Sequence, residues 1–149
     1  MNLLLFPNNL YEVKYLPKDI NKIYLLEDPI YFGYREKKMS FNKVKLVLHR
    51  ASMKYYESYL KSKKIKVDYI EFKKLKNLKY SFMSKLKSIT YFELNDHLLQ
   101  TRLDKYTKDK EVDILDNPNF LVTTEVLDKY HEKKKNKNRF FHKNFYEFI

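Results

Sequence analysis

The sequence has 149 residues, of which 44% are hydrophobic and 34% are charged, and its net charge is +12. This length suits one domain with its own core and is too short for two ordinary domains. Because the sequence has no cysteine, it excludes a disulfide framework, a thiolate zinc site and a cysteine-ligated iron–sulfur cluster within these residues.

The first half of the sequence predicts two strands followed by a long helix. Short apolar runs at 3–6 and 22–26 end at turn residues, as buried strands do. In the helix, apolar residues recur at spacings of three and four, which predicts a core-facing stripe. Ser40 is the predicted N-cap. The predicted stripe consists of Val44, Val47, Leu48, Ala51, Tyr55 and Tyr59.

The second half alternates strands with helices. Strands are predicted at 67–72, 89–94 and 112–115, and helices at 81–87, 96–106, from Thr123 or Thr124 to Tyr130, and at 140–149. This order predicts an α/β fold with a doubly wound, flavodoxin- or Rossmann-like, mostly parallel sheet of five strands and helices on both faces. Ligands of such sheets bind beyond the carboxyl ends of the strands, which directs attention to residues 7–9 and 27–39.

Motifs that carry chemistry by themselves are missing from the sequence. Its only glycine is Gly33, so neither common phosphate-binding glycine motif is present. The four histidines are scattered without metal-ligand spacing. Glu27 and Asp28 are candidate acids or bases, but turn chemistry before Pro29 explains them better. We therefore predict no catalytic residue and no metal site. A signal peptide is not recognisable either, so we expect an intracellular protein, in the cytoplasm, the nucleus or a viral factory.

The basic charge leaves a second function open. Lysines that neutralise phosphates release counterions, which favours binding to nucleic acid. However, only four of the 31 basic residues are arginine, the residue best suited to bidentate phosphate or guanine contacts. The many Asn, Tyr and Phe residues point instead to AT-rich coding. A stand-alone basic nucleic-acid-binding module therefore remains an alternative.

Two segments give the sequence a family resemblance. Residues 27–33 read E-D-P-I-Y-F-G, and residues 41–54 read F-N-K-V-K-L-V-L-H-R-A-S-M-K. Both resemble the deoxyribodipyrimidine photolyase-related proteins, the iron–sulfur bacterial cryptochrome and prokaryotic (6-4) photolyase branch of the cryptochrome/photolyase family. Residues 4–10, 118–124 and 139–146 fit further parts of the same pattern in the same order, so the resemblance spans nearly the whole chain.

The resemblance implies that this domain works together with a second, helical domain. In the family, this N-terminal α/β domain precedes a larger helical domain that binds FAD and an iron–sulfur cluster and docks the DNA lesion. We expect residues 1–149 to be that single α/β domain and to bind neither FAD nor the cluster. It would come from a split or truncated photolyase and would not be catalytic alone. An inactive remnant is a further alternative. The expected partner is a separately encoded helical subunit, with DNA reached through that complex and no membrane contact. Its expected docking residues are Phe140, Phe141, Phe145 and Tyr146.

The resemblance also implies an antenna site. In family members with an antenna, 6,7-dimethyl-8-ribityllumazine lies in this domain at the carboxyl edge of the sheet. The sequence departs from the family pattern at Asn42 and Val44, where the family has histidine and glutamine, and at Asn9, where it has glutamine. By position, the residues expected to line the site are Phe6, Asn8, Asn9, Glu27 and Lys43.

Arg50 receives a structural interpretation. It cannot share a helix face with Leu48, two residues away, whereas Lys54 lies four residues further on and does share its face. We predict that Arg50 and Lys54 brace neighbouring carboxylates or a docked partner and do not contact a ligand.

Overall fold

The computed structural model describes residues 1–33, 41–75, 80–133 and 141–149. The chain forms two compact units, Met1–Leu115 and Asp116–Ile149. The first contains the whole sheet, and the second contains two of the helices. The expectation of a single domain stays a prediction. Among the residues described, no helix is long and apolar enough to span a membrane.

The first unit is built on a five-stranded, all-parallel sheet with the spatial order β3-β2-β1-β4-β5. This is the Rossmann order and not the flavodoxin order, and the predicted doubly wound α/β fold is confirmed. The order reverses between β1 and β4. The strands are β1 Asn2–Leu5, β2 Lys22–Leu26, β3 Val67–Ile70, β4 Ser88–Phe92 and β5 Glu111–Leu115.

Helices and short 3₁₀ turns connect the strands. In the first unit α1 is Pro29–Phe32, α2 is Lys43–Ser62 and α3 is His97–Thr107. In the second unit α4 is Thr124–Lys133 and α5 is His142–Tyr146. The helix predicted at 81–87 is a 3₁₀ turn instead, and further 3₁₀ turns follow β1 and β3. These turns are Val13–Tyr15, Phe72–Leu75 and Ser81–Lys85.

Alternate residues of the central strands build two cores, one on each face of the sheet. Leu3 and Leu5 of β1 belong to the core that α2 covers. Leu4 of β1 and Phe6, just beyond it, belong to the core that α3 covers. Since successive side chains of a strand point to opposite faces, both faces of the sheet are buried, as a parallel sheet requires.

The predicted core-facing stripe of α2 was wrong, because it lies on the outside of the helix. Val44, Val47, Leu48 and Tyr55 are 76%, 68%, 62% and 77% exposed, and Ala51 is exposed too. Tyr59 is half-buried. The side chains of α2 that enter the core are Met53, Tyr56 and Leu60, which are buried.

Polar contacts fix the rotation of α2 about its axis. The Tyr56 hydroxyl donates a hydrogen bond of 2.6 Å to the main-chain oxygen of Tyr11, and both residues are buried. Asn42 caps the helix, since its side-chain oxygen accepts from the amide of Val44 at 2.8 Å. The predicted cap, Ser40, lies outside the described residues. The spacing of apolar residues cannot predict such contacts, because it takes no account of polar side chains.

An aromatic cluster holds the second unit together. The Tyr130 ring of α4 packs edge-on against Phe145 of α5 at 5.1 Å, and lies 5.4 Å from the Phe148 ring. Of the two predicted starts, Thr123 and Thr124, it is Thr123 that caps α4, because its hydroxyl oxygen accepts from the amide of Val126 at 3.3 Å. Residues 134–140, which include Phe140, one of the expected docking residues, lie outside the described residues.

Truncating a side chain on the buried face of α2 should destabilise the protein, whereas truncating one on the exposed face should have little effect. Met53→Ala removes a fully buried side chain and lowers the free energy of unfolding by about 2–5 kcal/mol. Val47→Ala, the matched control on the exposed face, changes it by less than about 0.5 kcal/mol. Urea denaturation followed by circular dichroism measures both values, and the reverse order would contradict the orientation of α2.

Candidate functional site at the carboxyl edge of the sheet

Two acidic residues mark the carboxyl end of β2. Glu27 and Asp28 follow the last residue of the strand, and both are fully buried. Asp28 is the N-cap of α1, where its side chain accepts a hydrogen bond of 2.8 Å from the amide of Ile30. Pro29 occupies the first helical position, where its missing N–H costs nothing. The turn chemistry predicted before Pro29 is confirmed for Asp28.

Every acceptor position of Glu27 is used by the protein. One carboxylate oxygen accepts from Arg50 Nε and from the Tyr69 hydroxyl, both at 2.7 Å. The other oxygen accepts from Arg50 Nη2 at 2.6 Å and from the Phe72 amide at 2.9 Å. Burial by itself raises the pKa of Glu27, but these donors outweigh burial and the pKa lies below its ordinary value. The prediction that Arg50 braces a carboxylate is confirmed.

A small cleft lies beside this ion pair. The Arg50 guanidinium lies 5.5 Å from the centre of the Phe32 ring, and the Phe32 and Phe72 rings stack at 6.5 Å. The cleft has a volume of about 300 Å³ and an apolar lining apart from its two cationic side chains. It is lined by Phe32, Leu46, Val47, Arg50, Phe72 and Lys73.

The single glycine of the sequence stands at this edge for a steric reason. Gly33 ends α1 with a φ of 152°, in a region that side chains rarely adopt. A Cβ atom at this position would lie 3.1 Å from Cζ of Phe72. A side chain here would therefore strain the backbone, and the Phe72 ring would have to move slightly to accommodate it.

Asp28 has its own arginine, which the sequence reasoning missed. Its carboxylate accepts from Arg102 Nη1 of α3 at 2.5 Å and from the Tyr80 hydroxyl. Burial raises the pKa of Tyr80 far above its usual range, and the neighbouring Asp28 charge adds to this effect. One feature of the sequence could have indicated this ion pair. Arg102 lies next to the inward-facing Leu103 of a predicted helix, in a sequence that has few arginines.

The five expected antenna residues differ widely in exposure. Phe6 is fully buried in the core under α3. Glu27 already accepts four hydrogen bonds from the protein. Asn8 and Lys43 are exposed. Asn9 is buried, and its side-chain nitrogen donates to the Tyr11 hydroxyl at 3.0 Å. Its side-chain oxygen is buried without a hydrogen-bond partner in the described structure. None of the five lines the cleft beside Arg50.

Comparison with known proteins identifies the lineage. Residues 3–148 match the sequence model of the family described as deoxyribodipyrimidine photo-lyase-related protein. The chain belongs to this family. An uncharacterized protein of Acanthamoeba polyphaga mimivirus is 32% identical over 152 residues, covering 96% of this chain and 78% of the viral protein.

The residues of this photolyase-related chain fit a lumazine only in part. A ribityl hydroxyl or a ring imide N–H can donate to the unpartnered oxygen of Asn9. Glu27 has no acceptor position left for such a donor, and Phe6 is enclosed in the core. Of the five residues, only Asn9 thus combines burial with an unused polar atom. In the described ranges, no group of three His, Cys, Asp or Glu side chains is placed to hold a metal ion.

Removing the arginine of the first pair tests its structural role. Arg50→Met leaves the buried Glu27 carboxylate without its cation. We expect the free energy of unfolding to fall by about 3 kcal/mol, the lower end for breaking a buried pair, because the Arg50 side chain is half exposed. Lys54→Met, the matched control one turn along, changes it by less than about 1 kcal/mol. Equal losses in urea denaturation would show that Arg50 does not stabilise the buried Glu27 carboxylate.

The lowered pKa of Glu27 predicts a pH dependence of stability. A carboxyl group whose pKa is lower in the folded than in the unfolded state stabilises the fold above its ordinary value of 4.5. This contribution is lost as the pH falls through the lowered folded value. Between about pH 5 and pH 2, the wild-type urea midpoint should therefore fall more steeply than that of Glu27→Gln. Parallel slopes would show that Glu27 does not carry the effect.

Proposed function

We propose that this chain is the non-catalytic α/β part of a photolyase-type DNA-repair assembly and that a separately encoded helical subunit completes it. The observation that carries the proposal is the family match over residues 3–148, which includes the parallel sheet and both compact units. FAD in the partner supplies the electron for photorepair when it is bound. This chain contributes a folded platform and a docking surface.

The buried acidic pair supports a structural role for the carboxyl edge. A general base needs an accessible lone pair within hydrogen-bond reach of its substrate. Glu27 and Asp28 are instead fully buried and paired with Arg50 and Arg102. Their geometry is that of a brace between strand and helices, which agrees with an assembly whose chemistry takes place in another subunit.

The second unit supports the docking role. Phe141, Tyr146 and Ile149 are 57%, 71% and 61% exposed. Aromatic side chains are enriched at protein–protein interfaces, and such residues dominate their binding energy. A cleft of about 200 Å³ opens in the same unit and could receive an apolar side chain of a partner. It is lined by Leu127, Tyr130, His131, Phe141, His142 and Phe145.

Antenna binding is a second candidate, and Asn9 favours it. Its buried, unpartnered oxygen is the kind of group that a bound polar ligand satisfies. On this proposal, 6,7-dimethyl-8-ribityllumazine would donate a hydrogen bond to Asn9, and Asn8 and Lys43 would contact it from exposed positions. Phe6 and Glu27 would support the site from behind without offering it a polar atom.

Co-purification tests the docking role. The tagged chain is expressed with its neighbouring genes, and the absorption spectrum of the purified material is recorded. We expect a helical subunit with flavin absorbance to co-purify. Phe141→Ser combined with Tyr146→Ser should reduce its yield at least about tenfold, because exposed aromatic residues dominate such interfaces. Tyr15→Ser, an exposed tyrosine of the first unit, is the matched control and should have no effect.

The same preparation distinguishes the alternatives. Lumazine absorbance that is lost in Asn9→Leu would support the antenna candidate. A colourless chain that recruits no subunit would contradict the proposed function. If that colourless chain shifted DNA with a steep salt dependence, the nucleic-acid-binding alternative would replace it.

A further inference from the structure

One side of α2 faces away from the core and carries no charge. We call it the α2 outer face, and all of its residues are exposed. At 3.6 residues per turn these positions form one continuous strip along the helix. The α2 outer face consists of Val44, Val47, Leu48, Ala51, Ser52, Tyr55, Ser58 and Ser62.

Such a strip is unusual for a surface in contact with water. The chain as a whole is 34% charged, and the exposed side of a helix normally carries much of that charge. Here the apolar members, from Val44 to Tyr55, recur at the spacing of a core-facing stripe. The opposite side of α2 is already buried through Met53 and Leu60. A helix that is apolar on two sides is typically covered on both.

The borders of the α2 outer face are basic. Lys45 lies along one border, and Lys43, Lys54 and Lys61 lie along the other. Glu57 is the single acidic residue of α2, and it is held by Lys54 at 3.1 Å and Lys61 at 2.7 Å. The strip therefore presents an apolar centre between cationic edges, and its complement is an apolar stripe between carboxylates.

The same charges disfavour a second copy of the chain on this surface. If two α2 helices packed antiparallel, Lys43 would face Lys61 of the other copy, and a parallel arrangement would place each lysine beside its own equivalent. Like charges across an interface are costly. Anionic lipid fits the charge, but membrane-surface helices insert large apolar residues. Three serines occupy the α2 outer face, and small side chains suit the close approach of another helix.

We propose that the α2 outer face docks an amphipathic helix of a protein partner. The partner helix packs its apolar stripe along Val44, Leu48, Ala51 and Tyr55. Its Asp or Glu side chains lie along both borders, where they face Lys45 and Lys54. This surface belongs to the first unit and differs from the aromatic surface of the second unit, so the inference goes beyond the function proposed above.

The test uses the full chain and two fluorescent helical peptides that share one leucine and alanine stripe. The stripe is bordered by glutamates in one peptide and by lysines in the other. Fluorescence anisotropy should show binding of the glutamate peptide, and binding of the lysine peptide should be at least about tenfold weaker. Leu48→Gln combined with Tyr55→Gln should weaken binding of the glutamate peptide by a similar factor. Ile114→Gln, at an exposed apolar position of β5, is the matched control.

Several results would overturn the inference. These are equal affinity for both peptides, no affinity for either, or peptide binding that Leu48→Gln with Tyr55→Gln leaves unchanged. Binding to phosphatidylserine vesicles that these substitutions abolish, without peptide binding, would assign the surface to a membrane. A dimer that they abolish would assign it to a second copy. The Phe141→Ser and Tyr146→Ser variant should bind the peptide normally, so this inference and the proposed function can fail separately.

Discussion

Two adjacent buried carboxylates, Glu27 and Asp28, set the main constraint on this structure. Buried negative charges are tolerated only with a cation and further donors. Arg50 and Arg102, two of the four arginines in the sequence, provide the cations from α2 on one face of the sheet and from α3 on the other. The end of β2 thereby joins both helical layers, and tyrosine hydroxyls complete the hydrogen bonding of both carboxylates.

The order of elements was predictable from the sequence, whereas the orientation of α2 was not. Strands appear in sequence as short apolar runs, and each of the five predicted runs overlaps an observed strand. In α2, apolar periodicity favours the side with Val44, Leu48 and Tyr55. The folded chain buries the other side, where Arg50 reaches Glu27 and Tyr56 reaches the main chain of Tyr11. Contacts between residues far apart in sequence therefore overrode the local pattern.

The location of the candidate site was predictable from the sequence, but the contacts of its side chains were predictable only in part. Parallel topology directs attention to the carboxyl edge, and Glu27 and Asp28 do lie there. Their partners in the ion pairs come from 23 and 74 residues away, and the sequence pointed only to a general bracing role for Arg50. The unpartnered oxygen of Asn9 is equally invisible in sequence, because it depends on burial. Family membership, in contrast, is carried by residue order and was recognisable at once.

The contacts of Glu27 hold it for structure and leave it unavailable to a ligand. A double-mutant cycle tests it most directly, with Glu27→Gln, Arg50→Met and the double variant compared by urea denaturation. We expect the two substitutions to be strongly non-additive, with a coupling free energy of about 2 kcal/mol or more, within the range for residues in direct contact. A coupling near zero, with each single variant as stable as the wild type, would contradict it.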